Sequence, residues 1–150
     1  MGSMKKWMIK MNNKYKIILN YIKDLSVEIP SPEALITSRN NIGKYEIKVN
    51  ISSKPLKLKM IEVTTKLTYT DPRNVKYKSF FEIGYATVID IIDSQLKKID
   101  IEKIILCDLQ IEIYPEIEKK FLSILHNSGF PSLEFGEKID FEKLYKKRIN

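Results

Sequence analysis

From Tyr45 to Ile51 apolar and polar residues alternate, with Tyr45, Ile47, Val49 and Ile51 set between Glu46, Lys48 and Asn50. A period of two places each set on its own face, so the pattern predicts a strand with one buried and one wet side. Leu56, Leu58 and Met60 begin a second alternation, which changes phase at Ile61 and continues through Val63, Thr65, Leu67 and Tyr69. A phase change of that kind marks a bulge or a break between strands. Asp71-Pro72-Arg73-Asn74 reads as a turn, because proline presets the first central dihedral and asparagine tolerates the next. Phe81, Ile83, Tyr85, Thr87, Ile89 and Ile91 form the strand that follows. Upstream, Tyr15, Ile17, Leu19 and Tyr21 lead through Leu25 and Val27 to Pro30-Ser31-Pro32.

After Asp93-Ser94 the period lengthens. Leu96, Ile99, Ile101, Ile104, Ile105, Leu106 and Leu109 fit helical turns better than alternation, although in a loose register. Pro115 suits the first turn of a further helix carrying Ile117, Phe121, Ile124 and Leu125 on one stripe, and Gly129 stops it. Beyond Pro131 and Gly136, Asp140 can cap a terminal helix bearing Phe141, Leu144 and Tyr145. Strands first and helices last predict an α+β fold, a four-stranded antiparallel sheet packed against C-terminal helices. The interface between copies of the chain is expected on the long helix at Ile117, Phe121 and Ile124, where packing against the sheet competes for the same stripe.

A chain of 150 residues is one domain's worth. Met1-Gly2-Ser3-Met4 reads as a cloning remnant, which leaves 5–150 as the domain. The net charge of +7 first suggests a polyanion or a membrane surface, yet only Arg39, Arg73 and Arg148 among the 26 basic residues are arginine. The charge is also regional: residues 1–75 hold 14 basic and 6 acidic groups, and residues 76–150 hold 12 and 13. Neither an apolar run of membrane-span length nor a signal peptide is apparent, and a cytoplasmic setting is expected.

Catalytic chemistry is hard to find. Lone Cys107 and lone His126 exclude disulfide frameworks and Cys- or His-based metal clusters, and no cofactor is expected. Asn41-Ile42-Gly43-Lys44 lacks both the earlier glycine and the following hydroxyl of a phosphate loop. Cys107 and His126 lie 19 residues apart with no orienting third group, so a buried thiol and a helix-end histidine are the expected reading. The aromatic content is more unusual, with Phe130, Phe135, Phe141 and Tyr145 close together near the C-terminus. A connecting loop and an amphipathic helix could frame a groove for apolar peptide there.

The segment Tyr21-Ile22-Lys23-Asp24-Leu25-Ser26-Val27-Glu28-Ile29-Pro30 resembles the first strand of the SecB protein-export chaperones. The resemblance recurs at Phe80-Phe81-Glu82-Ile83, at Tyr114-Pro115, at Gly129-Phe130-Pro131-Ser132-Leu133 and at Ile139-Asp140-Phe141-Glu142-Lys143-Leu144-Tyr145, in family order. It implies a non-enzymatic, ATP-independent holdase that binds unfolded, aggregation-prone polypeptides and passes preproteins to the SecA motor. It further implies a homotetramer built as a dimer of dimers. Matching positions put a client groove at Phe130, Leu133, Phe135, Phe141, Leu144 and Tyr145, and a SecA-docking face at Asp24, Glu28, Phe80 and Glu82. No nucleic-acid partner and no direct membrane insertion are expected. The basic balance and the ending Lys146-Lys147-Arg148-Ile149-Asn150 depart from acidic family members. An alternative is therefore a dedicated SecB-like chaperone that protects the antitoxin of a toxin–antitoxin system. A third reading, from another class, is a basic RNA-binding or structural module, which would show steeply salt-dependent polyanion binding.

Overall fold

The alternating stretches pair as β1 (Tyr15–Glu28), β2 (Glu46–Pro55), β3 (Met60–Thr70) and β4 (Phe80–Ile91), in the antiparallel order β1-β4-β3-β2. The computed structural model describes residues 13–136 and 138–149, so the remnant expected at residues 1–4 lies outside the described residues. Strand periodicity sends Val63, Leu67, Phe81, Ile83 and Ile89 inward, all 0% exposed. Their neighbours Glu62, Lys66, Thr68 and Glu82 line the opposite, outer face. Register shifts between Ile17 and Leu19 and between Ile22 and Asp24 place bulges in edge strand β1.

The phase change near Ile61 is a hairpin. Strand β2 runs on to Pro55, opposite Ile61, and the Leu56 N–H donates to the Met60 carbonyl at 2.9 Å across the turn. Leu56 and Leu58 are thus corrected from strand to turn, with Leu58 in the left-handed region at φ 63°, while Met60 opens β3.

Helix α1 (Pro32–Asn40) was not evident from periodicity, since only Ala34 and Ser38 are buried and no apolar stripe exists. Its signal is local: the Ser31 hydroxyl accepts from the Ala34 N–H at 3.1 Å and Pro32 opens the first turn. After β4 come α2 (Lys98–Lys103), a π turn (Ile104–Asp108) and α3 (Leu109–Asn127). A π turn inserts a residue and rotates everything beyond it, which is why no single helical register fitted this stretch. Buried Gln110 satisfies that widened turn, donating to the Ile105 carbonyl at 3.2 Å and accepting from the Thr65 hydroxyl at 3.1 Å.

Pro115 lies inside α3, not in its first turn. It is tolerated because the backbone bond it removes would end on Ile111, which is 49% exposed. Helix α4 (Phe141–Ile149) is capped as expected, with Asp140 Oδ1 accepting from the Lys143 N–H at 3.0 Å.

The stripe Ile113, Ile117, Phe121 and Leu125 of α3 packs on the inner face of the sheet. Ile117 and Phe121 are 0% exposed, so the interface expected of them between copies is corrected: packing against their own sheet takes both side chains. Burying a phenylalanine is worth roughly 2–3 kcal/mol, reason enough for this stripe to face the core. Ile124 is partly buried and lies beside that stripe. At the edge, the Tyr15 hydroxyl donates to Glu112 Oε2 at 2.6 Å and ties β1 to α3, its ionisation pushed up by burial and by the carboxylate.

Candidate functional site

Where β2 begins, the sheet is incompletely covered and a cleft of about 720 Å³ opens toward α4. One wall is the turn Ile42–Lys44 with Tyr45 and Ile47, and the other is the loop at Leu133 and Phe135 with Leu144 of α4. Its aromatic members are in contact, tilted between Tyr45 and Tyr69 and edge to face between Tyr69 and Phe135. Tyr45 and Tyr69 lie 5.4 Å apart and Tyr69 and Phe135 5.3 Å apart, within the range where such pairs attract. Beneath them Phe121 lies 6.2 Å from Phe135, and Phe130 sits edge-on to Phe81 at 5.4 Å. Burial, with Tyr45 nearby, pushes the Tyr69 hydroxyl up to about 12. A neighbouring hollow of about 540 Å³ shares Ile42, Leu133 and Glu134 with the cleft and extends it toward Arg39 and Pro131.

The two walls are held differently. On the sheet side, the Tyr45 hydroxyl donates to Ser38 Oγ at 2.9 Å and accepts from the Ser79 N–H at 2.9 Å. Ser38 and Ser79 hydroxyls meet at 2.7 Å, and Ser38 donates to the Ala34 carbonyl at 2.6 Å. On the loop side, Gly129 turns the chain at φ 104°, where an added Cβ would stand 2.9 Å from Leu35. Arg39 Nε donates to the Gly129 carbonyl at 2.7 Å, and His126 Nε2 lies 2.7 Å from the Leu133 carbonyl.

Leu133, Phe135 and Leu144 line the cleft, and Leu144 is 51% exposed. Phe130, Phe141 and Tyr145 lie deeper, at 4%, 4% and 8% exposure, with Phe141 against Tyr114 at 5.1 Å. Sequence reasoning missed Ile42, Tyr45, Ile47 and Tyr69, because strand alternation marks a residue as inward without saying whether a helix covers it. The signal available was the tyrosine at each end of that wall, whose hydroxyl suits a boundary between core and water.

The outer face of the sheet carries charged residues. Asp24 pairs with Gly84, Ser26 with Glu82 and Glu28 with Phe80, so Asp24, Glu28, Phe80 and Glu82 share one face. Glu82 accepts from the Thr68 hydroxyl at 3.3 Å and has Lys66 at 4.0 Å. Glu62, on the same face but opposite Val88 and so about 20 Å along the strand from Glu82, is bonded to Lys23 and to the Tyr21 hydroxyl, and Lys23 holds its carboxyl below the usual range.

Cys107 and His126 are not brought together. Cys107 is 1% exposed in the π turn, its thiol pushed up by burial, and His126 stands near the far end of α3, roughly 28 Å along the helical rise. Among the described residues no cluster of His, Cys, Asp or Glu could hold a metal, and no helix is long and apolar enough to cross a membrane.

Comparison with known proteins gives one consistent family. The model described as "Preprotein translocase subunit SecB" matches residues 9–150. A putative protein-export protein SecB of Pelagibacter ubique is 43% identical over 140 residues, covering 93% of this chain and 100% of that relative. The protein-export protein SecB of Rickettsia akari is 30% identical over 132 residues, covering 87% and 84%. Among solved structures, a SecB-like chaperone of Mycobacterium tuberculosis in complex with a ChAD peptide from an antitoxin shares the fold at a TM-score of 0.61. That match has 9% identity and covers 91% of this chain and 99% of the other.

Proposed function

This chain belongs to the SecB family, whose members are chaperones and not enzymes, and on that premise we propose that it is a cytoplasmic, ATP-independent holdase delivering preproteins to the SecA motor. The observation that carries the reading is the cleft, whose floor of Tyr45, Tyr69 and Phe135 is rimmed by charged residues such as Glu46 and Lys143 and which joins a second, more apolar hollow. An extended client burying ~1,000 Å² of apolar surface there gains about 25 kcal/mol gross, most of it offset by ordering the client. Net affinity stays modest and release remains possible. No cofactor and no nucleic acid enter this reading.

Assembly as a dimer of dimers is supported by β1, where Ile18, Leu19, Tyr21, Ile22, Leu25 and Val27 are each 40–48% exposed on an edge strand. Ile124 of α3 joins that proposed contact. Asp24, Glu28, Phe80 and Glu82 make the proposed docking face for a basic tail of the motor.

One observation favours a second reading, a chaperone dedicated to an antitoxin, as the peptide bound by the Mycobacterium tuberculosis protein illustrates. Lys66 lies 4.0 Å from Glu82 within the proposed docking face of a chain carrying +7, which weakens attraction to a basic tail.

The cleft is tested by Phe135→Ala with Leu144→Ala, scored by suppression of light scattering from an unfolded client. Binding about a hundredfold weaker at unchanged assembly size is expected, and unchanged affinity overturns the assignment. Docking is tested by Asp24→Ala with Glu82→Ala, which is expected to abolish binding of the motor's C-terminal zinc peptide while client holding persists. A parent protein that holds clients but ignores that peptide favours the dedicated reading.

A further inference from the structure

Lysines from both halves of the chain gather at one end of the sheet. There the Lys59 carbonyl accepts from the Ile91 N–H and the Lys14 carbonyl from the Ile92 N–H, each at 3.0 Å. Lys14 and Lys59 therefore flank the end of β4 across two strand spacings, about 10 Å. Lys57 lies on the β2–β3 turn beside Lys59, and Lys97 and Lys98 follow six residues or fewer after Ile92. All five lysines are exposed, and among the described residues none forms an ion pair. Three acids share this end, the first being Asp90, which stands opposite Lys16 on one side and Met60 on the other. Asp93 accepts from the Gln95 N–H at 2.9 Å and Asp100 from the Lys97 N–H at 2.8 Å, so five lysines stand against three aspartates.

Large apolar side chains stand among these charges. Leu58 is 94% exposed, Ile92 49% and Ile99 53%. Leu58 also occupies the left-handed region, φ 63°, where glycine or asparagine is favoured and a leucine is strained. A residue that breaks the local rule and holds an apolar group out in water points to a use for that group.

We propose that this end of the sheet is a docking surface for an anionic lipid bilayer, with Leu58 seated at headgroup level and the surrounding lysines on the lipid charges. The shape decides between partners. A side chain 94% exposed projects from the surface and offers no concavity to a peptide, whereas a fluid interface closes around a projecting apolar tip. Lysine also suits a diffuse negative surface, where arginine's bidentate fork has no fixed partner.

The test is co-sedimentation of the full chain with vesicles of phosphatidylglycerol mixed with phosphatidylcholine in equal parts, against phosphatidylcholine alone. The parent is expected to partition onto the anionic vesicles only and to be released by salt. Leu58→Asn, whose new side chain tolerates the left-handed backbone, is expected to melt at or above the parent's temperature and to bind about tenfold more weakly. Lys57→Gln with Lys59→Gln is expected to lose about thirtyfold at low salt. Equal partition of the Leu58→Asn variant, or equal binding to both kinds of vesicle, overturns the proposal. So does tighter binding of a single-stranded RNA that is blind to Leu58→Asn, which would assign the patch to nucleic acid. Client holding is expected to be the same in all variants, so this outcome is independent of the cleft.

Discussion

Two surfaces of one sheet are built by opposite means. The cleft draws Tyr45, Tyr69, Phe135 and Leu144 from segments almost a hundred residues apart, and it exists only because loop and helix converge on β2 and β3. The outer face needs no convergence: Asp24, Glu28 and Glu82 are neighbours by strand register alone. The two are interleaved at single-residue spacing, since Thr68 supports Glu82 while Tyr69 enters the cleft, and Phe80 points out where Phe81 points in. A surface made by tertiary packing is sensitive to distant core changes, whereas one made by register survives as long as the strands pair.

The sharpest way to break that contrast is from beneath. Phe121→Ala removes the ring under Phe135 and is expected to destabilise the chain by about 3–5 kcal/mol, read from a denaturant melt. Client holding should fall with it at temperatures where the sheet, and thus docking of the motor peptide, is retained. Simultaneous loss of both functions at those temperatures would show that the two surfaces are not separable. A smaller change sharpens the outer face alone. Lys66→Gln removes the cation 4.0 Å from Glu82, and titration calorimetry with the basic motor peptide is expected to show binding about threefold tighter, with client affinity unaltered.

The smallest effect concerns the β3–β4 loop, which serves both surfaces by carrying Ser79 inward and Phe80 outward. Arg73 donates from Nη2 to buried Asp71 at 2.7 Å, and that hydrogen bond holds the carboxyl at about 2. A folded value below the unfolded value of about 3.9 stabilises the fold above that pH. The contribution is complete above pH about 4 and is lost as pH falls toward about 2. Melting temperature against pH should therefore slope less steeply in this window for Arg73→Gln than for the parent.

Strand content and the outer face were legible because both follow from a period of two. Tyr45 to Ile51 and Phe81 to Ile91 announce themselves, and residues four apart on a strand must share a face. The phase change marked the break between β2 and β3, but Leu56 and Leu58 were misread as strand because spacing alone cannot distinguish a leucine in a strand from one in a turn. The helical third was legible in kind but not in register, since a π turn leaves no compositional mark beyond the phase slip it causes. Of the groove residues, Leu133, Phe135 and Leu144 reach the cleft, whereas Phe130, Phe141 and Tyr145 are nearly enclosed. Family position located that region, but the depth of each side chain depends on contacts far along the chain.

The buried hydroxyl cluster of Ser38, Tyr45 and Ser79 has a bearing on how the cleft proposed for clients would serve many occupants. It welds α1 and the starts of β2 and β4 into a fixed jaw, since shifting any one of them would strand polar groups without water. The facing jaw, from Pro131 to Gly136, is largely solvent-facing and is tethered at Leu133 by His126 and, just before it begins, at Gly129 by Arg39. Adjustment to bulky or slender segments thus falls to one side of a vice whose other side does not move.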